Sequence, residues 1–444
     1  MIDRMTNSGD PKDIADSRAD GLVTGWWRTI RNHPLARLGP GLITGVADDD
    51  PSGIGTYSQA GAQFGLNMLW TMPLCYPLMS AVQLMCAQIG RVTGKGLAAN
   101  IKAAFPRPVL LGVIALLLIA NTLNIAADVA AMGEVGELVT GIDRHAMTLL
   151  FVGITLGLQI GVAYHRYVLY LKWLTLSLLA YAAVLFTVHV PWGQVALRTF
   201  WPRFALDSAS AAMIVAVFGT TISPYLFFWQ ASEEVEDMKR AKAHALIGAD
   251  PIVARKELRR MSWDTWSGMG YSNLSAWFVI LATAVTLHVA GITDINTAAQ
   301  AASALRPLAG NFAFVLFAVG LLGVGLIGVP VLAGSGAYAA AEAMRWREGL
   351  EANVRKEPRF YAVIAISVLL GLGIQYSPIS PMKALFWSAV INGVVAVPLL
   401  AVICLLVVKK AVMGEYTASR WLVGMGWVTT AMMGAAAACM LLPA

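Results

Sequence analysis

The chain has 444 residues, 57% of them hydrophobic and only 13% charged. A soluble domain carries about a quarter charged residues, so this chain lacks the polar groups to cover a water-facing surface. Its net charge of +6 is scattered between long apolar stretches instead of lining one face, which argues against a nucleic-acid partner.

In chain order, residues 1–37 are polar, contain Pro11 and Pro34, and lack the apolar core of a signal peptide; they read as a cytoplasmic tail. A bilayer core needs roughly 20 apolar residues per helix. On that measure eleven spans follow, near 40–63, 67–89, 109–137, 146–163, 168–190, 209–236, 268–291, 311–340, 360–377, 382–408 and 418–442. The long connection 237–267 is charged and amphipathic in its second half (Arg255, Lys256, Glu257, Arg259, Arg260) and reads as a helix lying at the interface. Cys75, Cys86, Cys404 and Cys439 fall in apolar stretches without metal-ligand spacing and read as small buried hydrophobes.

Cytoplasmic loops of membrane proteins are rich in Lys and Arg. With the N-terminus inside, 27 of the 32 basic residues fall on inner segments and 5 on outer ones (Arg144, Arg198, Arg203, Arg306, Lys383). That bias predicts a multi-pass protein of the cytoplasmic cell membrane, with the tail inside and the C-terminus outside.

Two spans contain helix breakers at mid-depth. Span one reads GPGLITGVADDDPSGIGTYSQAGAQFG, with Asp48, Asp49, Asp50, Pro51, Ser52 and Gly53 at its centre. Span six reads AVFGTTISPYLFFWQASEE, with Gly219, Thr220, Thr221, Ser223 and Pro224 near its middle. Proline frees backbone groups that lipid cannot satisfy, so both helices are expected to break where a cavity can. Their separation by five spans predicts an inverted-repeat transporter, with repeats over 38–190 and 209–408, a last helix over 418–442, and its site at the two breaks. Unwound carbonyls and a carboxylate at membrane depth suit a cation, and Asp50 beside the break supplies the charge. A competing reading makes the aspartates only caps for the second half-helix.

The first of these segments resembles the opening helix of the Nramp family of divalent-metal transporters. RVTGKGLAANI (91–101), NIAADVAAM (124–132) and GTTISPYLFFWQAS resemble that family's second intracellular loop, third helix and sixth helix, and the likeness runs from about residue 38 to 441. The resemblance implies an all-α membrane protein of eleven transmembrane helices, a LeuT-like 5+5 inverted repeat with helices 1 and 6 broken and one extra C-terminal helix. It implies no enzyme and no cofactor. The partners it implies are the lipid bilayer and a divalent cation as substrate, with no obligate protein partner.

By the same resemblance Asp50 matches the ion-binding aspartate, and Ala47 and Thr220 offer backbone carbonyls. The departures matter more. Gly53 stands where the family has Asn, and Ser223-Pro224-Tyr225 where it has Met-Pro-His. A thioether is a soft ligand that favours manganese or iron over magnesium. With Gly53 and Ser223 the site is expected to be roomier and oxygen-only, lined by Tyr225, and to suit magnesium that keeps part of its water. The pattern resembles the Nramp-related magnesium transporters, which also move manganese.

Asp128 keeps a third-helix acidic position of the proton-coupled members, but Ala131 replaces the Glu that follows it. Tyr225 and Gln230 replace two histidines, and Arg359 lies only at the edge of span nine. Neither tyrosine nor glutamine carries protons near neutral pH, so transport without proton coupling is expected. Asp49, Asp128, Gln230 and Asn392 are expected near the site or its pathway, whereas Asn121 and Asn124 read as helix–helix partners. The rival readings are a proton-coupled manganese or iron carrier of the same family, and an amino-acid transporter of the same fold.

Overall fold

The computed structural model describes residues 39–440 apart from 163–170, 172, 173, 204–206, 350–353, 355, 356 and 375–378. The tail expected over 1–37 and the start of the span expected at 168–190 lie outside the described residues. Every regular element among the described residues is helical.

The first span is split into α1 (Pro40–Asp48) and α2 (Pro51–Phe64). Pro51 stands at the first position of α2, where its missing N–H costs nothing and its fixed φ starts a helix. α3 (Thr71–Thr93) ends on Gly94, a left-handed residue at φ 67°. The short α4 (Leu97–Ala104) leads to α5 (Arg107–Thr140), which stops on left-handed Gly141, and to α6 (Arg144–Gly161). α7 (Leu179–Val184) and α8 (Trp192–Phe200) follow.

The sixth span is split in the same way, into α9 (Ser208–Thr221) and α10 (Pro224–Ala241). Then come α11 (Pro251–Thr283), α12 (Ala313–Met344), α13 (Pro358–Ile374), α14 (Pro381–Val407) and α15 (Arg420–Met440). Seven described helical stretches are long and apolar enough to cross a bilayer. The other expected spans fall on the broken α1–α2 pair, on α6, on α13 and on the partly described 168–190 stretch.

Two sequence expectations are corrected. The charged segment over 251–267 is no separate interfacial helix, because α11 runs unbroken from Pro251 through it into the span. Its breakers lie before residue 251, where Asp250 caps the helix and Pro251 starts it. Cys439 is exposed on α15, while Cys75, Cys86 and Cys404 are buried as expected.

The packing is that of a membrane bundle turned inside out. Large apolar side chains such as Ile119, Leu149, Leu150, Leu369 and Leu370 are exposed, where lipid replaces water. Aspartates and asparagines lie inside, among them Asp48, Asp50, Asn124 and Asp128. α1 lies directly on α11, since a Cβ on Gly268 would stand 2.2 Å from the Gly41 carbonyl oxygen. Small residues allow that backbone approach, and it fixes the inner end of the broken helix.

Candidate cation site at the helix breaks

The breaks are two residues each and meet across the molecule. At the first, Asp50 adopts extended backbone (φ −72°, ψ 172°) and caps α2. Its Oδ1 accepts from the Gly53 amide at 2.8 Å and from Ser52 Oγ at 2.8 Å. The capping reading is therefore realised, but it occupies only one oxygen. The other, Oδ2, accepts from Asn124 Nδ2 at 2.9 Å and from the Tyr225 hydroxyl at 3.2 Å. Tyr225 also reaches the Ala47 carbonyl at 3.2 Å, so its hydroxyl bridges the last turn of α1 and the Asp50 carboxylate.

At the second break Ser223 stands at the N-cap position of α10 with extended backbone (φ −80°, ψ 138°), but its side chain does not cap that helix. Its hydroxyl donates to the Gly219 and Thr220 carbonyls, each at 2.7 Å. The Thr220 carbonyl is thus present at the break but engaged by Ser223. The side chain of Thr220 faces Ser52 Oγ at 3.4 Å, which ties the two breaks together. Cys75 Sγ lies 2.8 Å from Thr221 Oγ1, one residue further along α9.

The space expected at Gly53 is occupied. A Cβ there would lie 3.2 Å from the Tyr57 ring and 3.3 Å from Thr220 Oγ1, so neighbours fill the volume an Asn side chain would take. Gly328 of α12 closes another side, its Cβ position only 3.0 Å from Asp50 Cβ. The carboxylate is 1% exposed. Room for water around an ion therefore requires the breaks to move apart.

Asp48 and Asp49 both turn toward α11. Ser272 Oγ donates to Asp48 Oδ2 and, at 3.0 Å, to Asp49 Oδ1. Asp49 is 3% exposed, so its carboxylate is enclosed by protein next to the break. Asp128 and Gln230 are buried, and among the described residues their side-chain polar atoms meet no hydrogen-bond partner. Asn392 of α14 approaches Asn124, its Nδ2 lying 3.4 Å from Asn124 Oδ1. Asn124, whose sequence suggests only a packing role, instead reaches Asp50, and a contact across 74 positions leaves no local signal. Asn121 does fit that packing role, bonding Leu332 O at 2.8 Å and Ser335 Oγ at 2.9 Å on α12. Glu134, at the far end of α5, accepts from the Ala298 amide at 2.8 Å. Arg359 stacks over Trp346 at 5.7 Å, away from the breaks.

Broken, facing helices around a buried carboxylate in an all-helical membrane bundle define a secondary transporter of LeuT-like fold, not an enzyme. Solved structures agree in fold. The chain is similar to the manganese transporter of Eremococcus coleocola, with TM-score 0.69 and 18% identity over 93% of this chain and 86% of that one. It is also similar to MhsT, solved in complex with L-phenylalanine, with TM-score 0.62 and 14% identity over 90% of this chain and 98% of that one. The sequence model of the Natural resistance-associated macrophage protein-like (Nramp) family matches residues 41–443. The chain belongs to the Nramp family. Among curated relatives, "Divalent metal cation transporter MntH" of Acidiphilium cryptum is 26% identical over 440 residues, covering 93% of this chain and 91% of the relative. The MntH of Klebsiella pneumoniae is 26% identical over 419 residues, 91% and 94% of the two chains.

Proposed function

We propose that this protein imports divalent metal cations across the cytoplasmic membrane, magnesium first and manganese also, by alternating access and without proton coupling. The observation that carries the reading is the Asp50 carboxylate, capped through one oxygen and held through the other by the neutral, hard groups of Asn124 and Tyr225. Family membership and the MntH relatives support a divalent cation as cargo. Magnesium takes oxygen ligands and gives up water reluctantly. In this reading Asp50 supplies the charge, Ala47 and Thr220 supply carbonyls, Gly53, Ser223 and Tyr225 line the space the hydrated ion enters, and Asp49, Asp128, Gln230 and Asn392 lie along its surroundings. The breaks belong to two repeats, 38–190 and 209–408, that rock around the site, with 418–442 added outside them. The N-terminus faces the cytoplasm and the C-terminus the exterior, as the 27 to 5 split of basic residues demands. Two positive charges crossing a potential of about 100 mV gain about 4.6 kcal/mol, at roughly 2.3 per charge, which drives accumulation without protons.

A second reading, a proton-coupled manganese carrier, draws on Asp128, a carboxylate wholly buried beside Ser52 of the first break. Proteoliposomes decide between them. Wild type is expected to take up magnesium, with manganese competing, and without lumenal acidification; Asp50→Ala should abolish both fluxes in a protein that still purifies as a folded species. The double substitution Gly53→Asn with Ser223→Met should move preference toward manganese. Acidification that tracks uptake, or a manganese flux insensitive to magnesium, would establish the second reading instead.

A further inference from the structure

Resting on the reading of Asp50 as the cargo's carboxylate, we propose that Asn124 is a specificity-determining ligand of the same site, turned by its partner Asn392 between holding Asp50 and holding the ion. An ionised carboxylate only accepts hydrogen bonds, so the amide facing Asp50 Oδ2 at 2.9 Å presents its NH2. That choice sends Asn124 Oδ1 the other way, toward Asn392 Nδ2 at 3.4 Å. Asn392 is 1% exposed, and its Oδ1 has no partner among the described residues. Among the described residues only Asn124 bonds its amide, so it is able to turn. Asn121, one turn earlier on α5, is the contrast: two acceptors on α12 fix its amide in place.

A cation entering beside Asp50 reverses what the site requires of Asn124. The NH2 that suits a bare carboxylate repels the ion, and the carbonyl oxygen of the same amide attracts it. A half turn of both amides brings Asn124 Oδ1 to the ion and Asn124 Nδ2 to Asn392 Oδ1. Each arrangement contains one Asn124–Asn392 bond, so the exchange leaves that count unchanged and the charge of the ion decides between them. The ligand gained is a neutral amide oxygen, which suits a hard ion better than a soft one. It also links α2, α5 and α14, so three helices register the arrival of cargo.

The test is calorimetric binding of Mg2+ and Mn2+ to the purified full chain, wild type against Asn124→Leu, Asn392→Ala and the double variant. Asn124→Leu should raise the Kd for Mg2+ about tenfold, the scale of one charge-assisted hydrogen bond, and raise that for Mn2+ less. Asn392→Ala should shift the Mg2+ to Mn2+ ratio in the same direction. The double variant should match Asn124→Leu alone, because Asn392 acts through Asn124. Equal weakening of both ions, which a merely structural role predicts, overturns the proposal, as do unchanged constants or additive effects. Where Asn124→Leu fails to fold, the ratio in Asn392→Ala decides alone. Wild type that binds neither ion refutes the underlying reading; wild type that binds while Asn124→Leu behaves identically refutes only this inference.

Discussion

Asp50 divides its two oxygens between tasks, Oδ1 holding the start of α2 and Oδ2 facing the neighbouring helices. A carboxylate that is also a helix cap is held in one rotamer, so displacing it by a fraction of an ångström disturbs both the site and the local backbone. Gly328 tests this. A methyl group there would stand 3.0 Å from Asp50 Cβ, with a capped backbone and no flexible side-chain end to yield. Overpacking of that kind costs about 1–3 kcal/mol. Gly328→Ala is therefore expected to lower magnesium uptake by about tenfold or more. Gly336→Ala on the same helix is the control. Its methyl meets the tip of the partly exposed Leu118 side chain at 3.0 Å, a flexible end that can yield, so uptake in proteoliposomes should stay near wild type. Equal losses in both variants would show that α12 packing matters and the approach to Asp50 does not.

Among the elements, the breaks were legible and the connections between helices were not. Asp50-Pro51 and Ser223-Pro224 each put a capping residue before a proline at the first helical position, a signature that local chemistry writes into the sequence. The continuity of α11 was hidden, because charges over 255–260 look the same on an interfacial helix and on the extension of a span. The pairing of Asp48 and Asp49 with Ser272 across more than 220 positions was equally invisible. So was the filling of the Gly53 space by Tyr57 and Thr220, which only packing reveals. One connection carries a pH signature. Beyond the end of α12, burial pushes the Glu348 carboxyl up to about 7; Lys239 opposes the rise, and Glu236 and Glu357 add to it. A carboxyl whose folded value is raised binds its proton more tightly in the folded than in the unfolded chain. Its contribution is favourable at low pH and is lost as pH rises from the ordinary carboxylate range through about 7. Thermal unfolding of the purified protein should thus shift to lower temperature between pH 5 and 7.5, and Glu348→Gln should flatten that part of the profile. An identical slope in the variant would assign the dependence to other groups.

At the scale of the whole molecule, the site is closed from both ends, and each closure has its own chemistry. On the α2 side Gln59 bonds the Thr293 carbonyl at 3.1 Å and the Ile295 amide at 2.9 Å, while Lys383 pairs with Asp294 at 3.6 Å. Lys383 and Asp294 are exposed, and exposed ion pairs contribute little. The opposite end, cytoplasmic in the proposed orientation, is built more firmly. Arg91 of α3, its side chain 5% exposed, reaches Glu257 of α11 at 2.6 Å and Asp237 of α10 at 3.2 Å, with Glu234 at 3.9 Å. Arg260 joins the same two acids, and Asp264 one turn on accepts the Gly41 amide of α1 at 2.7 Å. One guanidinium thus joins α3, α10 and α11, and α11 in turn holds the half-helix that leads to Asp50. Removing Arg91 takes the guanidinium away from buried Glu234 and leaves Asp237 and Glu257 to Arg260 alone, and opening the bundle is the route by which these acids regain water. Arg91→Gln is therefore expected to favour the state open at this end. In a Cys439→Ser background, a cysteine placed at buried Thr44 on α1 should react with a membrane-impermeant thiol reagent from that side at least several-fold faster when Arg91→Gln is added. Arg91→Lys keeps the charge but loses the two-pronged contact, so it should fall between the two. Unchanged labelling with intact folding would mean that the closure rests on the glycine contacts between α1 and α11 and not on the charges.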